Sequence, residues 1–565
     1  MRLGALILLS WLLIGCGSSD RTSAGPAVGG SGGHGGTGGT GGGAGSGGTI
    51  GAAGAPDPLA QMRSACTFTA GAKVADTLGL TATDRAAIKL DHIIVMMKEN
   101  RSFDHLLGHL HDRGQPDVEA IPPGLTNPDL AGKAFPIAHA PVTCISHDPD
   151  HQWSGMHMQV DSGKMDGFVK SAQLSTGTDG SLAMYTYDQP DLPFYYWLAS
   201  TFALGDRHFP PVRSGTFPNR NFLLLGTADG VTATGAGYPD PATPTIFDAL
   251  DKAGVTWGVY SDGSLLSGTL DWKLTHPGAH HFADFLAALD AGSLPQVVFV
   301  DGIDDVEDEH PTGDLQKGEA WTRNVYQHVI ASPLWPTLAM VWTYDEAGGF
   351  FDHVPPPNQA CVARPVDKDA KFTELGVRVP IAIISPWARP HHVSHDVHDH
   401  TAITRLIETV FDLPALTARD ANSTALLDMF DFTGAPPLAT PPPAPEAGHG
   451  GCGESVVLSA TKPTYASGEP IVLSFSGAPG GDATDWIGIY SYTAMGPTPP
   501  GMGTLNWAYL GGSQTPSTMP TSGMVTLDAS TNGKGGWPLP AGGYIAYYLL
   551  GKGYTSVASI DFNVQ

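Results

Sequence analysis

Asp345 and Glu346 stand side by side at the end of an apolar run, in MVWTYDEAGGFFDHV (340–354). Adjacent carboxylates repel unless something positive lies between them, and a hard divalent cation bound by oxygen ligands supplies that charge. Gly348 and Gly349 follow, letting the backbone turn sharply and stay close to such a site. A second polar pair, Glu99–Asn100, ends HIIVMMKEN just before RSFDHLLGHL, a helix-like stretch. Asn100 or Ser102 could instead serve there as a helix cap, with no metal involved. QVVFVDGIDDVEDEHP runs into an acidic loop that carries His310. In VRSGTFPNRNFLL (212–224), Thr216 precedes a Phe-Pro-Asn-Arg turn and an apolar helical run. A hydroxyl so placed can act as a metal-activated nucleophile, with Ser214 as the competing hydroxyl.

These clusters need elements to hold them. HIIVMMKEN, TWGVYSDG, QVVFVDGIDD, LAMVWTYDE and VPIAIISPWA are continuous aliphatic runs separated by helical patterns. Such runs suit strands buried on both faces, which predicts an α/β body with a mostly parallel sheet covered by helices. In open sheets of this kind the ligand site lies beyond the carboxyl ends of the strands, where the polar clusters sit. RPHHVSHDVHDHT (389–401) invites a second metal site at His391, His395 and His398, but is read as a loop rich in histidine.

The chain has 565 residues, 41% hydrophobic and 15% charged, enough for two or three domains. Its formal charge of −26 excludes the basic footprint of a nucleic-acid-binding protein. MRLGALILLSWLLIGCGSSD has the flanks of an export signal and ends in Leu-Ile-Gly-Cys, which resembles a bacterial lipobox. The expectation is a signal peptide over 1–16, with Cys16 lipidated and the protein anchored to the envelope, at the outer membrane rather than the inner, or else secreted. Residues 17–59 read as a Gly-rich tether, 60–433 as the catalytic body, 434–452 as a stiff Pro-rich linker and 453–565 as a β-sandwich. Cys66, Cys144, Cys361 and Cys452 allow two disulfides in any of three pairings.

Read together, ENRSFDH (99–105), DPDH (148–151), KMDGF (164–168), TFPNR (216–220), DEHP (308–311), YDEAGGFFDHVPPP (344–357), RVPIAIISPWARP (378–390) and DHTAITRLIE (399–408) resemble a known family. It is the bacterial phosphoesterases that include phospholipases C and a group of acid phosphatases, with related non-specific phospholipases C in plants. The resemblance implies an alkaline-phosphatase-like α/β fold. It also implies one divalent metal held by Glu99, Asn100, Thr216, Asp345 and Glu346, its identity open among calcium, magnesium, manganese and zinc. Thr216 would be the nucleophile. His151 and His310 would contact the phosphoryl group or act as general acid and base. Asp352, His353, Asp399 and His400 match as supporting residues, and Arg220, with Arg101, as a support or a substrate contact. The tail's DW-G-Y and WPLPAG-Y pattern resembles an accessory sandwich of some metallophosphatases.

The activity so implied is hydrolysis of phosphate esters through a phosphothreonine, of phospholipase C type with a phospholipid substrate. The alternatives are an acid-phosphatase-like phosphomonoesterase and a non-catalytic surface-binding lipoprotein. A sulfatase is disfavoured by threonine at the nucleophile position. Sequence leaves the oligomeric state open.

Overall fold

The computed structural model describes residues 57–565, apart from 236, 264–278, 359, 368, 449, 453–455, 477–482, 494–495, 498–502, 517–521, 532–535, 550, 552–553 and 555. The expected signal peptide, Cys16 and nearly all of the tether lie outside the described residues.

The aliphatic runs form the strands of a mixed, mostly parallel sheet. In chain order these are β1 (His92–Lys98), β2 (Ala203–Gly205), β3 (Trp257–Tyr260), β4 (Ala279–His280), β5 (Val297–Val300), β6 (Leu338–Tyr344), β7 (Ile381–Ile384) and β8 (Val393–Ser394). Across the sheet they run β8-β2-β7-β6-β1-β5-β3-β4. Only the β6–β7 and β7–β2 pairings are antiparallel. Every residue of β6, and all of β1 after His92, is buried, which is why these strands carry no polar alternation.

Three neighbours fix the site. β6, β1 and β5 are parallel, with Lys98 opposite Tyr344 and Met96 opposite Val300. Their carboxyl ends therefore deliver Glu99, Asp345 and Asp301 to one edge of the sheet.

The C-terminal region has two further sheets. One holds Val457–Ala460, Ile471–Ser476 and Gly523–Leu527; the other is six-stranded and built around Trp486–Thr493, Gly542–Leu549 and Ser556–Val564. Leu473, Phe475 and Val525 of the first share one apolar core with Ile487, Ile489 and Ala546 of the second.

The Pro-rich segment runs along the body as a strap. Trp335 donates to the Ala439 carbonyl at 3.0 Å, Arg323 to that of Pro445 at 2.6 Å, and the Gly448 amide to Glu319 at 2.6 Å. Of the three cysteine pairings, the structure has Cys66–Cys361 and Cys144–Cys452.

Candidate active site

TFPNR shows how local sequence builds the site. Thr216 opens helix α1 (Thr216–Leu225), Pro218 sits in the first turn where no N–H partner is needed, and Gly226 closes the helix at φ +69°. The Asn219 amide accepts from the Val212 N–H at 3.1 Å and donates to the Ser214 carbonyl at 2.7 Å, pinning the loop that leads to Thr216. The Thr216 hydroxyl then donates to Glu99 Oε2 at 3.1 Å. The competing Ser214 Oγ donates instead to the Thr232 carbonyl at 2.7 Å.

Asn100 sits at φ +63°, a left-handed turn that ends β1. Ser102, not Asn100, caps the following helix, accepting from the His105 N–H at 3.2 Å. Gly348 and Gly349 both have positive φ. A Cβ on Gly348 would run into the Asn100 backbone, and one on Gly349 would lie 2.7 Å from Pro149 Cβ and 2.8 Å from the Asp150 carbonyl. The two glycines thus let the Asp345–Glu346 loop lie against both Asn100 and the loop carrying His151.

The set is rich in buried, unpaired oxygen. Asn100 Oδ1, Asp345 Oδ2 and Glu346 Oε1 are buried without a hydrogen-bond partner. Burial, then the neighbouring Asp345, pushes Glu99 up to about 8 even though Arg220 pulls the other way. Burial also raises Asp345, and it holds Glu346 well above the usual carboxylate range. Carboxylate and amide oxygens left in this state fit a hard divalent cation, which Glu99, Asn100, Asp345 and Glu346, with Thr216 beside them, could hold.

Two tighter groupings of ligand-type side chains occur among the described residues, each within 4.8 Å: Asp148–His151–His310 and Asp104–Asp352–His353. Glu99, Asp345 and Glu346 are not drawn that close together. In the second grouping Arg378 already supplies the positive charge, lying 2.9 Å from Asp104 and 3.1 Å from Asp352. In the first, His151 Nδ1 donates to the Pro149 carbonyl at 2.9 Å and its Nε2 lies 4.0 Å from Glu346. Burial opposes its charge, but Glu346 and Asp148 outweigh that and push His151 up to about 10. His310 stands edge-on to His151, ring centres 5.7 Å apart, with Nδ1 donating to the Pro311 carbonyl at 2.5 Å.

Arg220 is a buried counter-ion. It meets Glu99 Oε1 at 2.7 Å and Asp301 at 2.6 Å, both inside the protein. Arg101 donates to the Glu309 carbonyl and is equally buried. His400 Nε2 donates to the Asp345 carbonyl at 2.8 Å, and its Nδ1 lies 3.0 Å from His208 Nε2. Asp399 accepts from the Thr401 N–H at 2.8 Å, just before the helix Thr401–Phe411. His353 Nδ1 donates to Asp104 at 2.7 Å, and Arg378 donates to Asp352 at 3.1 Å and to Asp104 at 2.9 Å. His395 pairs with Asp206 and His398 with Thr424, so the histidine-rich run does not converge on a metal among the described residues.

Sequence reading passed over Asp308. It is buried, its Oδ2 has no partner, and burial with the nearby Glu99 pushes it up to about 8. Its place in DEHP, two residues before His310, is the available signal.

The family model described as Phosphoesterase family matches residues 90–414, which contain every strand of the central sheet and all of these groups. Non-specific phospholipase C1 of Arabidopsis thaliana is 31% identical over 397 residues, 63% of this chain and 73% of its own length. Phospholipase C B of Mycobacterium tuberculosis is 30% identical over 429 residues, 62% of this chain and 80% of its own. With more than half of its length matched, the chain belongs to the phosphoesterase family.

Proposed function

We propose that the protein is a metal-dependent phosphodiesterase of phospholipase C type, working through a phosphothreonine at Thr216. The observation that carries this reading is the Thr216 hydroxyl, 3.1 Å from Glu99, at a helix N-terminus beside carboxylate and amide oxygens that lack partners. The names of the plant and mycobacterial relatives favour a phospholipid diester over a monoester.

A divalent cation bound there would neutralise phosphoryl oxygens and lower the pKa of the Thr216 hydroxyl. Glu99 orients that hydroxyl and accepts its hydrogen bond, and the amino end of α1 favours the negative charge that develops. Cationic His151 binds a phosphoryl oxygen. Thr216 Oγ gives its proton to Glu99 Oε2 and forms the bond to phosphorus as the bond to the alcohol breaks, and His310 Nε2 gives the departing oxygen its proton. The same nitrogen then takes a proton from the water that bonds to phosphorus, and Thr216 Oγ leaves with the proton returned by Glu99.

The wider reading keeps an alkaline-phosphatase-like body with a β-sandwich accessory domain. It also keeps export by residues 1–16 and a lipid anchor at Cys16. No helix among the described residues is long and apolar enough to cross a membrane.

The test compares nitrophenyl phosphorylcholine with nitrophenyl phosphate, with and without a chelator, for the wild type and Thr216→Ala. Preference for the diester, lost with chelator and lost in a folded Thr216→Ala, is the expected result. Preference for the monoester would move the assignment to a phosphatase. No metal-dependent turnover of either would leave a binding protein, and near-wild-type activity of Thr216→Ala would remove the nucleophile.

A further inference from the structure

Glu309, the residue before His310, is fully buried and sits at φ +77°, a left-handed conformation that side chains of its size avoid. The turn sends its side chain into the body while His310 stays partly exposed. There the carboxylate is fully used. Oε1 accepts from Lys98 Nζ at 2.6 Å and from the Tyr195 hydroxyl, and Oε2 accepts from the Tyr344 hydroxyl. Its own carbonyl accepts from Arg101 Nε at 2.9 Å and Nη2 at 2.6 Å. Lys98 Nζ is further enclosed by the Gly318 carbonyl at 2.9 Å and Thr322 Oγ1 at 3.0 Å. Gly318 packs against the Glu309 side chain so closely that a Cβ there would overlap it.

The partners are not scattered. Lys98 immediately precedes Glu99, Tyr344 immediately precedes Asp345, and Arg101 immediately follows Asn100. One buried carboxylate therefore joins the loop of His310 to the ends of β1 and β6. Strained backbone of this kind persists only where its surroundings over-determine it, and here the surroundings are the catalytic strand ends themselves.

We propose that Glu309 is the positioning residue of His310: it locks the histidine loop to the strand ends that carry Glu99 and Asp345, so that proton transfer occurs in register with attack by Thr216. The inference rests on the reading of His310 given above.

The test is a double-mutant cycle in the full chain, with nitrophenyl phosphorylcholine as substrate. His310→Ala is expected to lower kcat by roughly 100- to 10,000-fold, the usual worth of a general acid–base group. Glu309→Gln keeps the size but offers an amide to three donors. It is expected to lower kcat roughly tenfold or more with KM little changed, and to add no further loss on top of His310→Ala. Bound metal, measured by elemental analysis, stays at the wild-type level. Tyr344→Phe removes one hydrogen bond and leaves the ion pair, and it carries the same cycle should Glu309→Gln not fold.

Losses that multiply in the double variants, metal lost with the carboxylate, or folded single variants with wild-type kcat would each overturn the proposal. A large loss in His310→Ala beside unaffected Glu309 and Tyr344 variants sinks this inference alone. Unchanged turnover in His310→Ala sinks the assignment of His310 as well.

Discussion

Arg220 and Glu99 meet at 2.7 Å with neither side chain more than 1% exposed. The same guanidinium reaches Asp301 at 2.6 Å and lies 3.8 Å from Asp345, so one cation holds the ends of β1, β5 and β6 together. Removing one partner of a buried pair leaves the other without its counter-charge, which costs about 3–5 kcal/mol. Arg220→Met is therefore expected to lose stability on that scale in urea or thermal unfolding. A variant of unchanged stability whose only defect is a raised KM would make Arg220 a substrate contact after all.

Metal uptake at the strand ends is expected to release protons. Burial and Asp345 push Glu99 up to about 8, so without a cation it holds a proton at neutral pH. A cation must displace that proton; apparent affinity then rises as pH rises towards 8 and falls as pH drops below it. Calorimetric titration in two buffers of different ionisation enthalpy measures the release directly. Affinity that does not change across this range would remove Glu99 from the ligand set.

Gly348 and Gly349 are expected to fail differently. Alanine at Gly348, with φ +64°, meets the Asn100 backbone and should displace the Asn100 amide from the cation site. Alanine at Gly349 presses on Pro149 and Asp150, beside His151. Each change should destabilise by about 1–3 kcal/mol through strain at a left-handed position. Gly348→Ala should also weaken metal binding, and Gly349→Ala should lower kcat with metal retained. Equal effects of both on metal affinity would contradict the separate contacts.

The strands and the groups at their ends are legible because β1 and β6 are seven-residue, mostly apolar runs with no polar alternation, each stopping at a polar pair. The motifs from ENRSFDH to DHTAITRLIE then lay in the family's order. What sequence could not carry was the choice of partners among buried charges. Lys98 and Glu309 are 211 positions apart, and Arg378 and Asp104 are 274 apart. Nothing local distinguishes such residues from solvated ones. Arg220 was read as a support or a substrate contact for the same reason: only the packed sheet brings Glu99 and Asp301 to it. The Pro-rich segment reads as a spacer by composition, since an extended proline-rich chain looks the same whether it spans solvent or lies along a protein. The contacts that make it a strap belong to Trp335, Arg323 and Glu319 on the body.

That strap ends in a clasp, and the clasp carries the last prediction. Cys452 is bonded to Cys144, the Thr143 N–H donates to the Gly451 carbonyl at 2.9 Å, and the Gly451 N–H donates to Gln316 at 2.8 Å. Thr143 also donates to Asp314 at 2.7 Å, so the segments leading to His151 and away from His310 are joined at this point. The bond closes 308 residues of chain, and a native disulfide typically contributes about 2–4 kcal/mol of stability. Cys452→Ser is expected to lower the unfolding midpoint accordingly and to speed proteolytic cutting within 434–452. The Cys66–Cys361 bond, remote in sequence from the strap, provides the comparison: Cys361→Ser should lower stability without exposing 434–452. Equal cutting of the strap in both variants would show that the clasp does not hold it.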